Sequence, residues 1–204
     1  MELNLINTVL LNNQSLLKMK SYLKIGSLLL ALMIIGGSGY YYTVKAQVKA
    51  KPEGGIKWMT LTEAEKLCAK KKKKIFIDIY TDWCGWCKRL DASTYQDPAV
   101  VKYLNDNFYS VKLNAESKDT IAFKGVKYAY DANSRINMVS PQFLGPQPGY
   151  PTLTYLDEHL KVLRIAPGYV DVQTMLSQLR YVGENYYLNM SYEKYTNEVA
   201  SKGK

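Results

Sequence analysis

Cysteine and histidine are the scarce residues of this 204-residue chain: it has three of the first and one of the second. Three cysteines cannot make a disulfide scaffold, and an odd number leaves one thiol unpaired unless chains are joined. The fold must therefore come from burial of apolar side chains. With 47% hydrophobic and 22% charged residues, the composition is that of a globular domain with extensions. There is no internal repeat and no low-complexity tract. A zinc site would need all of Cys68, Cys84, Cys87 and His159. Cys68 falls in an apolar helical stripe and His159 on a turn, so the expected metal content is none.

What is present begins with an export pattern. Lys18, Lys20 and Lys24 precede an uncharged stretch from Ile25 to Val44, and small residues follow, with Val44 and Ala46 placed for cleavage. Residues 1–46 read as a signal peptide cut after Ala46, with Met19 as an alternative start. The competing reading is an uncleaved membrane anchor. Without residues 1–46 the chain keeps 23 basic and 17 acidic residues, and Lys70–Lys74 supplies five of the positive charges. That run reads as a solvated helix end. No nucleic-acid partner is expected, because no stacking aromatics interrupt the lysines.

Residues 47–57 read as a linker, and the domain as 58–204. Thr60 stands three residues ahead of Glu63, a capping-box spacing, and Leu61, Ala64, Leu67 and Cys68 form the inward stripe of the helix that follows. KIFIDIY (74–80) suits a buried central strand that Asp78 interrupts. TDWCGWCKRLDAS (81–93) places its cysteines in the first turn of a helix. Asp97-Pro98 opens another, with Ala99, Val101, Leu104 and Phe108 turned inward. FYSVKLN (108–114) alternates like a strand. In the insertion 115–148, a hairpin turning at Lys124-Gly125 and a short helix over RINMVSPQFL (135–144) are expected. Two strands flank Asp157–His159, a helix runs through DVQTMLSQLRYV (171–182) with Val172, Met175, Leu176 and Leu179 inward, and a tyrosine-rich helical segment ends the chain. The fold class is α/β, a mixed sheet covered on both faces.

Trp83, Cys84, Gly85, Trp86 and Cys87 form the chemical centre of the sequence. At i and i+3 in a first helical turn, two cysteines face the same way and can close a disulfide. The first lies where free N–H groups and the helix dipole favour an anion, so Cys84 is expected to be the more acidic and more exposed thiol, and the nucleophile. Cys87 would resolve the mixed disulfide, and Trp83 and Trp86 would shield the pair and meet substrate. A carboxyl in a buried strand loses hydration, so Asp78 should have a raised pKa and can move the proton that Cys87 needs.

IFIDIYTDWCGWCK (75–88) resembles the active-site segment of the thioredoxin superfamily, and GYPTLTYLD (149–157) is similar to its cis-proline strand. The resemblance implies a thioredoxin-like fold, with Pro151 facing the disulfide and the backbone of Tyr150 pairing with substrate. It also implies that Lys112, in VKLNAES (111–117), lies beside Asp78. Trp86 replaces a usual proline, Tyr150 is bulkier than usual, and residues 115–148 exceed the family core. Gly85 and Trp86, between the cysteines, tune the redox poise.

The expected activity is extracytoplasmic thiol-disulfide exchange in the periplasm or cell envelope, more reducing than oxidising, because no histidine stands between the cysteines. No cofactor is expected. The partners would be cysteine-containing exported proteins and a membrane electron donor, with membrane contact only if the N-terminal segment stays uncleaved. The alternative is a non-catalytic binding module of the same fold.

Overall fold

The computed structural model describes residues 54–198. The signal or anchor, the start of the linker and the last six residues lie outside that range. Nine strands and six α-helices occur among the described residues. β1 (Trp58–Met59) precedes α1 (Leu61–Lys70), β2 (Lys74–Tyr80), α2 (Gly85–Ala92), a 3₁₀ turn at Thr94–Gln96 and α3 (Pro98–Asn107). β3 (Phe108–Asn114) leads into two small hairpins, β4 (Ile121–Phe123) with β5 (Val126–Tyr128) and β6 (Tyr130–Asp131) with β7 (Ile136–Asn137). After α4 (Pro141–Leu144) come β8 (Thr152–Leu156), β9 (Val162–Pro167) and α5 (Val172–Gly183). A 3₁₀ turn at Tyr186–Leu188 and α6 (Tyr192–Glu198) complete the described chain.

The main sheet has the order β1-β3-β2-β8-β9. β2 runs parallel to β3 and antiparallel to β8, and β8 is antiparallel to β9. β2 is therefore the central strand, and its alternation divides the core. Ile75, Ile77 and Ile79 point into one cluster with Leu61, Ala64, Cys68, Phe123 and Phe143. Phe76 points into the other, with Leu90, Leu104, Tyr155 and Leu179. Three β-branched isoleucines fit a strand buried on both sides, and each fully buried side chain contributes about 1.5–3 kcal/mol. Asp78 shares a face with Phe76, so a carboxyl lies where the pattern calls for an apolar group.

The helix starts follow local rules. The Thr60 hydroxyl accepts from the Glu63 N–H while the Glu63 carboxylate accepts from the Thr60 N–H. Asp97 accepts from the N–H groups of Ala99 and Val100, with Pro98 next in line. Asp97→Ala leaves those donors without a partner and is expected to cost about 1 kcal/mol. Urea unfolding should show this as a lower midpoint with an unchanged slope.

The Lys124-Gly125 turn is present, with Phe123 opposite Val126 and positive φ values of 51° and 75° at the two turn residues. Other expectations need correction. Leu67 is exposed because it falls well to one side of the stripe that Leu61, Ala64 and Cys68 form at helical spacing. In α3 it is Val100, rather than Ala99, that is buried beside Val101 and Leu104. The first part of 135–144 pairs as β7, and only Pro141–Leu144 is helical. The lysine run is not one solvated end. Lys74 has entered β2, where it is buried and its ammonium lies 2.7 Å from Glu158 Oε1. Ile56, in the expected linker, is already part of the core.

Candidate functional site

β2 ends at Tyr80, and the chain turns through Thr81–Trp83 into α2. Cys84 is the N-cap of α2, and its Sγ accepts from the Cys87 N–H at 3.0 Å. The two cysteines form a disulfide with Cα atoms 5.3 Å apart. An N–H aimed at Cys84 Sγ, added to the free N–H groups of the first turn, stabilises negative charge on that sulfur when the bond is open. The margin of exposure between the cysteines is small, 4% at Cys84 against 2% at Cys87. The accessible surface belongs to Trp83 and Trp86, which are 66% and 56% exposed.

Each tryptophan has an aromatic partner. Trp83 meets Tyr150 edge-on with ring centroids 5.8 Å apart, and its indole N–H donates to Glu116 at 3.0 Å. Trp86 lies 5.6 Å from Tyr169, and the Arg89 guanidinium sits over both of these rings at 5.4 and 5.6 Å. Tyr150-Pro151 is a cis peptide bond, and Pro151 O accepts from the Gly168 N–H. The contact of Trp83 with Tyr150 thus joins the cysteine turn to the proline loop.

In the sheet, the parallel register of β2 and β3 sets Asp78 opposite Lys112. Lys112 Nζ lies 2.6 Å from Asp78 Oδ2 and also pairs with Asp91 of α2. The rings of Trp58, Tyr80 and Tyr95 each lie 5.1 Å from that ammonium. Burial pushes the Asp78 carboxyl above its usual value, and the attraction of Lys112 opposes the shift without cancelling it. Burial alone would lower Lys112, but Asp78 and Asp91 together hold it above the usual lysine value. Asp78 Oδ1 and the Tyr95 hydroxyl are buried and neither has a well-formed hydrogen bond, but they lie near enough to each other that the hydroxyl draws the carboxyl down and the carboxylate pushes the phenol up. Burial outweighs both Lys112 and Tyr95, so this carboxyl holds a proton more readily than an exposed one.

The structure pairs Asp78 with Lys112, ties Lys112 to α2 through Asp91 one turn after Cys87, and sets Trp83 with Tyr150 and Trp86 with Tyr169 on either side of the Cys84–Cys87 turn. Gly85 opens α2 with no atom near the position a Cβ would take. Asp91, Tyr169, Arg89 and Glu116 were not foreseen. Asp91 follows Cys87 by four residues, one helical turn, and that spacing was the only available sign of it. Cys68 is buried, its thiol donating to the carbonyls of Lys73 and Glu158 at 3.3 and 3.5 Å. His159 is not remote from it, since both line one shallow cavity near the start of β2. Among the described residues, no three His, Cys, Asp or Glu side chains converge on a metal-sized site.

Over 46 residues, 22% of the chain, it is 46% identical to a protein named thiol:disulfide interchange protein DsbD from Haemophilus ducreyi. Over 114 residues, 54% of the chain, it is 29% identical to a protein of the same name from Escherichia coli O6:H1. These matches span only 8% and 17% of the two relatives. A solved structure titled "DsbH Oxidoreductase" superimposes with a TM-score of 0.50 at 15% identity, covering 68% of this chain and 92% of the other, which shows a shared thioredoxin fold. Residues 44–182 match the family described as "Thioredox_DsbH: Protein of unknown function, DUF255". With that match running through the strand, cysteine turn and proline loop described above, the chain belongs to this thioredoxin-like family.

Proposed function

We propose that the protein is an extracytoplasmic thiol-disulfide oxidoreductase that works mainly as a reductant. The observation that carries this reading is the Cys84–Cys87 disulfide at a helix N-terminus, with the Cys87 N–H on Cys84 Sγ. In the reduced protein the Cys84 thiolate attacks one sulfur of a partner's disulfide. A bond forms to Cys84, and the partner's other sulfur leaves as a thiolate. Cys87, deprotonated with help from Asp78, then attacks Cys84 Sγ, closes the disulfide and releases the second partner sulfur. The partner gains two electrons and the protein loses two, so each cycle needs an external reductant, for which a membrane electron donor is the natural source.

The reducing direction is supported by the absence of histidine between the cysteines, where a positive ring would stabilise the thiolate and favour the reduced form. The relatives named for thiol-disulfide interchange support the reaction class. Turbidimetric reduction of insulin, with dithiothreitol as donor, tests the activity. Precipitation no faster than with dithiothreitol alone would leave a binding module as the better reading. A Cys84–Cys87 potential well above that of the glutathione pool would reverse the direction.

Export rests on Lys18, Lys20 and Lys24, the apolar segment and the small residues before Gln47. The described residues contain no helix long and apolar enough to cross a membrane. N-terminal sequencing of protein from its native host is expected to begin at Gln47. An intact Met1 or Met19 in the membrane fraction would instead make residues 25–44 an anchor.

A further inference from the structure

The residues around the disulfide carry charges that the protein does not neutralise, and these charges are sorted. Beside Cys87 lie Lys88 and Arg89, both exposed. Arg89 sits over the rings of Trp86 and Tyr169, and no carboxylate pairs with it among the described residues. On the Cys84 side, Asp82 stands two residues before the cysteine and Glu116 is bound to the adjacent Trp83. Their oxygens accept only from neutral donors, the Asn114 amide and the Trp83 indole, and no cation pairs with either among the described residues. Glu116 is also close enough to Tyr150 to raise its hydroxyl pKa further after burial has done so, which sets this acidic group against the proline loop.

Each charge is fixed to an aromatic pair, Glu116 to Trp83 with Tyr150 and Arg89 to Trp86 with Tyr169. The two rings and the Tyr169 hydroxyl hold the guanidinium in place, and its remaining N–H donors can meet a carboxylate. Its conformational freedom is restricted before any partner arrives, which lowers the entropy lost on binding.

We propose that this rim is a charge-ordered docking surface for an extended, cysteine-bearing segment of a partner protein. The segment places an acidic side chain against Arg89 and a basic one against Glu116, with its cysteine over Cys84. The inference deepens the thiol-disulfide reading and rests on it. The apolar rings supply contact area common to many partners, and the two charges select among partners by the order of their flanking residues.

The test uses the reduced full chain and homodimeric disulfides of three capped pentapeptides: Glu-Gly-Cys-Gly-Lys, its reverse Lys-Gly-Cys-Gly-Glu, and Gln-Gly-Cys-Gly-Gln. The two charged peptides have the same composition and net charge, so only order distinguishes them. Rates of protein oxidation, followed by tryptophan fluorescence, are expected to differ by about 5-fold between the two orders at low salt, with the glutamine peptide between them. Screening in 0.5 M NaCl should bring the ratio close to 1. Arg89→Gln and Glu116→Gln should each reduce the ratio. A ratio is insensitive to any change these substitutions make in the acidity of Cys84, which affects all three peptides alike. Equal rates for the two orders, or a difference that both variants retain, would overturn the proposal. A glutamine peptide that reacts no faster than with dithiothreitol would bring down the thiol-disulfide reading itself, and the docking surface with it.

Discussion

Cys87→Ser is expected to convert the protein into a trap: attack on a partner's disulfide proceeds, resolution does not, and covalent adducts accumulate on Cys84. Cys84→Ser should form none, and insulin reduction by either variant should fall to the level of dithiothreitol alone. The asymmetry follows from Cys84 being the N-cap, where its sulfur receives the Cys87 N–H and faces the unpaired donors of the first turn. In Cys87→Ser that N–H remains, because it belongs to the backbone. The thiolate of Cys84 therefore keeps its stabilisation while losing the thiol that would release its adduct. Cys68→Ser is the control. Its site is buried on the far side of β2, where a hydroxyl can still donate to the Lys73 or Glu158 carbonyl, so turnover should match that of the unsubstituted protein. Non-reducing gels of the three variants, after incubation with oxidised envelope protein, read all of this directly. Adducts that persist in Cys84→Ser would overturn the assignment of Cys84.

Much of this site can be read from the sequence because its parts obey short-range rules. KIFIDIY marks β2 to the residue, since a short, nearly continuous apolar run suits a strand buried on both faces and polar residues lie on either side of it. Asp97-Pro98 and Thr60–Glu63 fix two helix starts through hydrogen bonds that span three residues. The lysine partner of Asp78 came from resemblance alone, and the parallel register of β2 and β3 supplies its physical basis. Where the sequence is silent, the cause is contact across the fold. Asp91 looks like any surface carboxylate of a helix, and only the packing of α2 over β3 brings it to Lys112. Lys74 belongs to a basic run that suits solvent, yet Glu158, from the turn between β8 and β9, gives it a buried partner. Tyr169 reaches Trp86 from the loop after β9, more than eighty residues away in the chain.

Asp78→Asn is expected to make the protein more stable and less active. The carboxyl is fully buried and its pKa is raised, so the cost of burying its charge exceeds what the Lys112 ammonium returns at 2.6 Å. Its contribution to stability has a definite sign. As pH rises above about 4, an unfolded aspartate gives up its proton while folded Asp78 still holds one; the native state then binds more protons and stability falls with pH. Above the raised folded pKa the loss is complete. The gain from Asp78→Asn should be small near pH 4, grow as pH rises and level off, at about 1–3 kcal/mol, once folded Asp78 is ionised. That corresponds to roughly 2–4 °C in melting temperature per kcal/mol for a chain of this size. Lys112 limits the gain, because it loses one of its two carboxylate partners and keeps Asp91. Activity should move the other way. The amide cannot accept the Cys87 proton, so resolution of mixed disulfides should slow by roughly 10²-fold near neutral pH. Attack by Cys84, whose thiolate is stabilised by backbone N–H groups, should change far less. Melting curves from pH 4 to 8, set beside single-turnover rates for adduct formation and resolution, separate the two effects. A variant that is destabilised at neutral pH, or that resolves adducts at the original rate, would place Asp78 in the framework of the fold rather than in its chemistry.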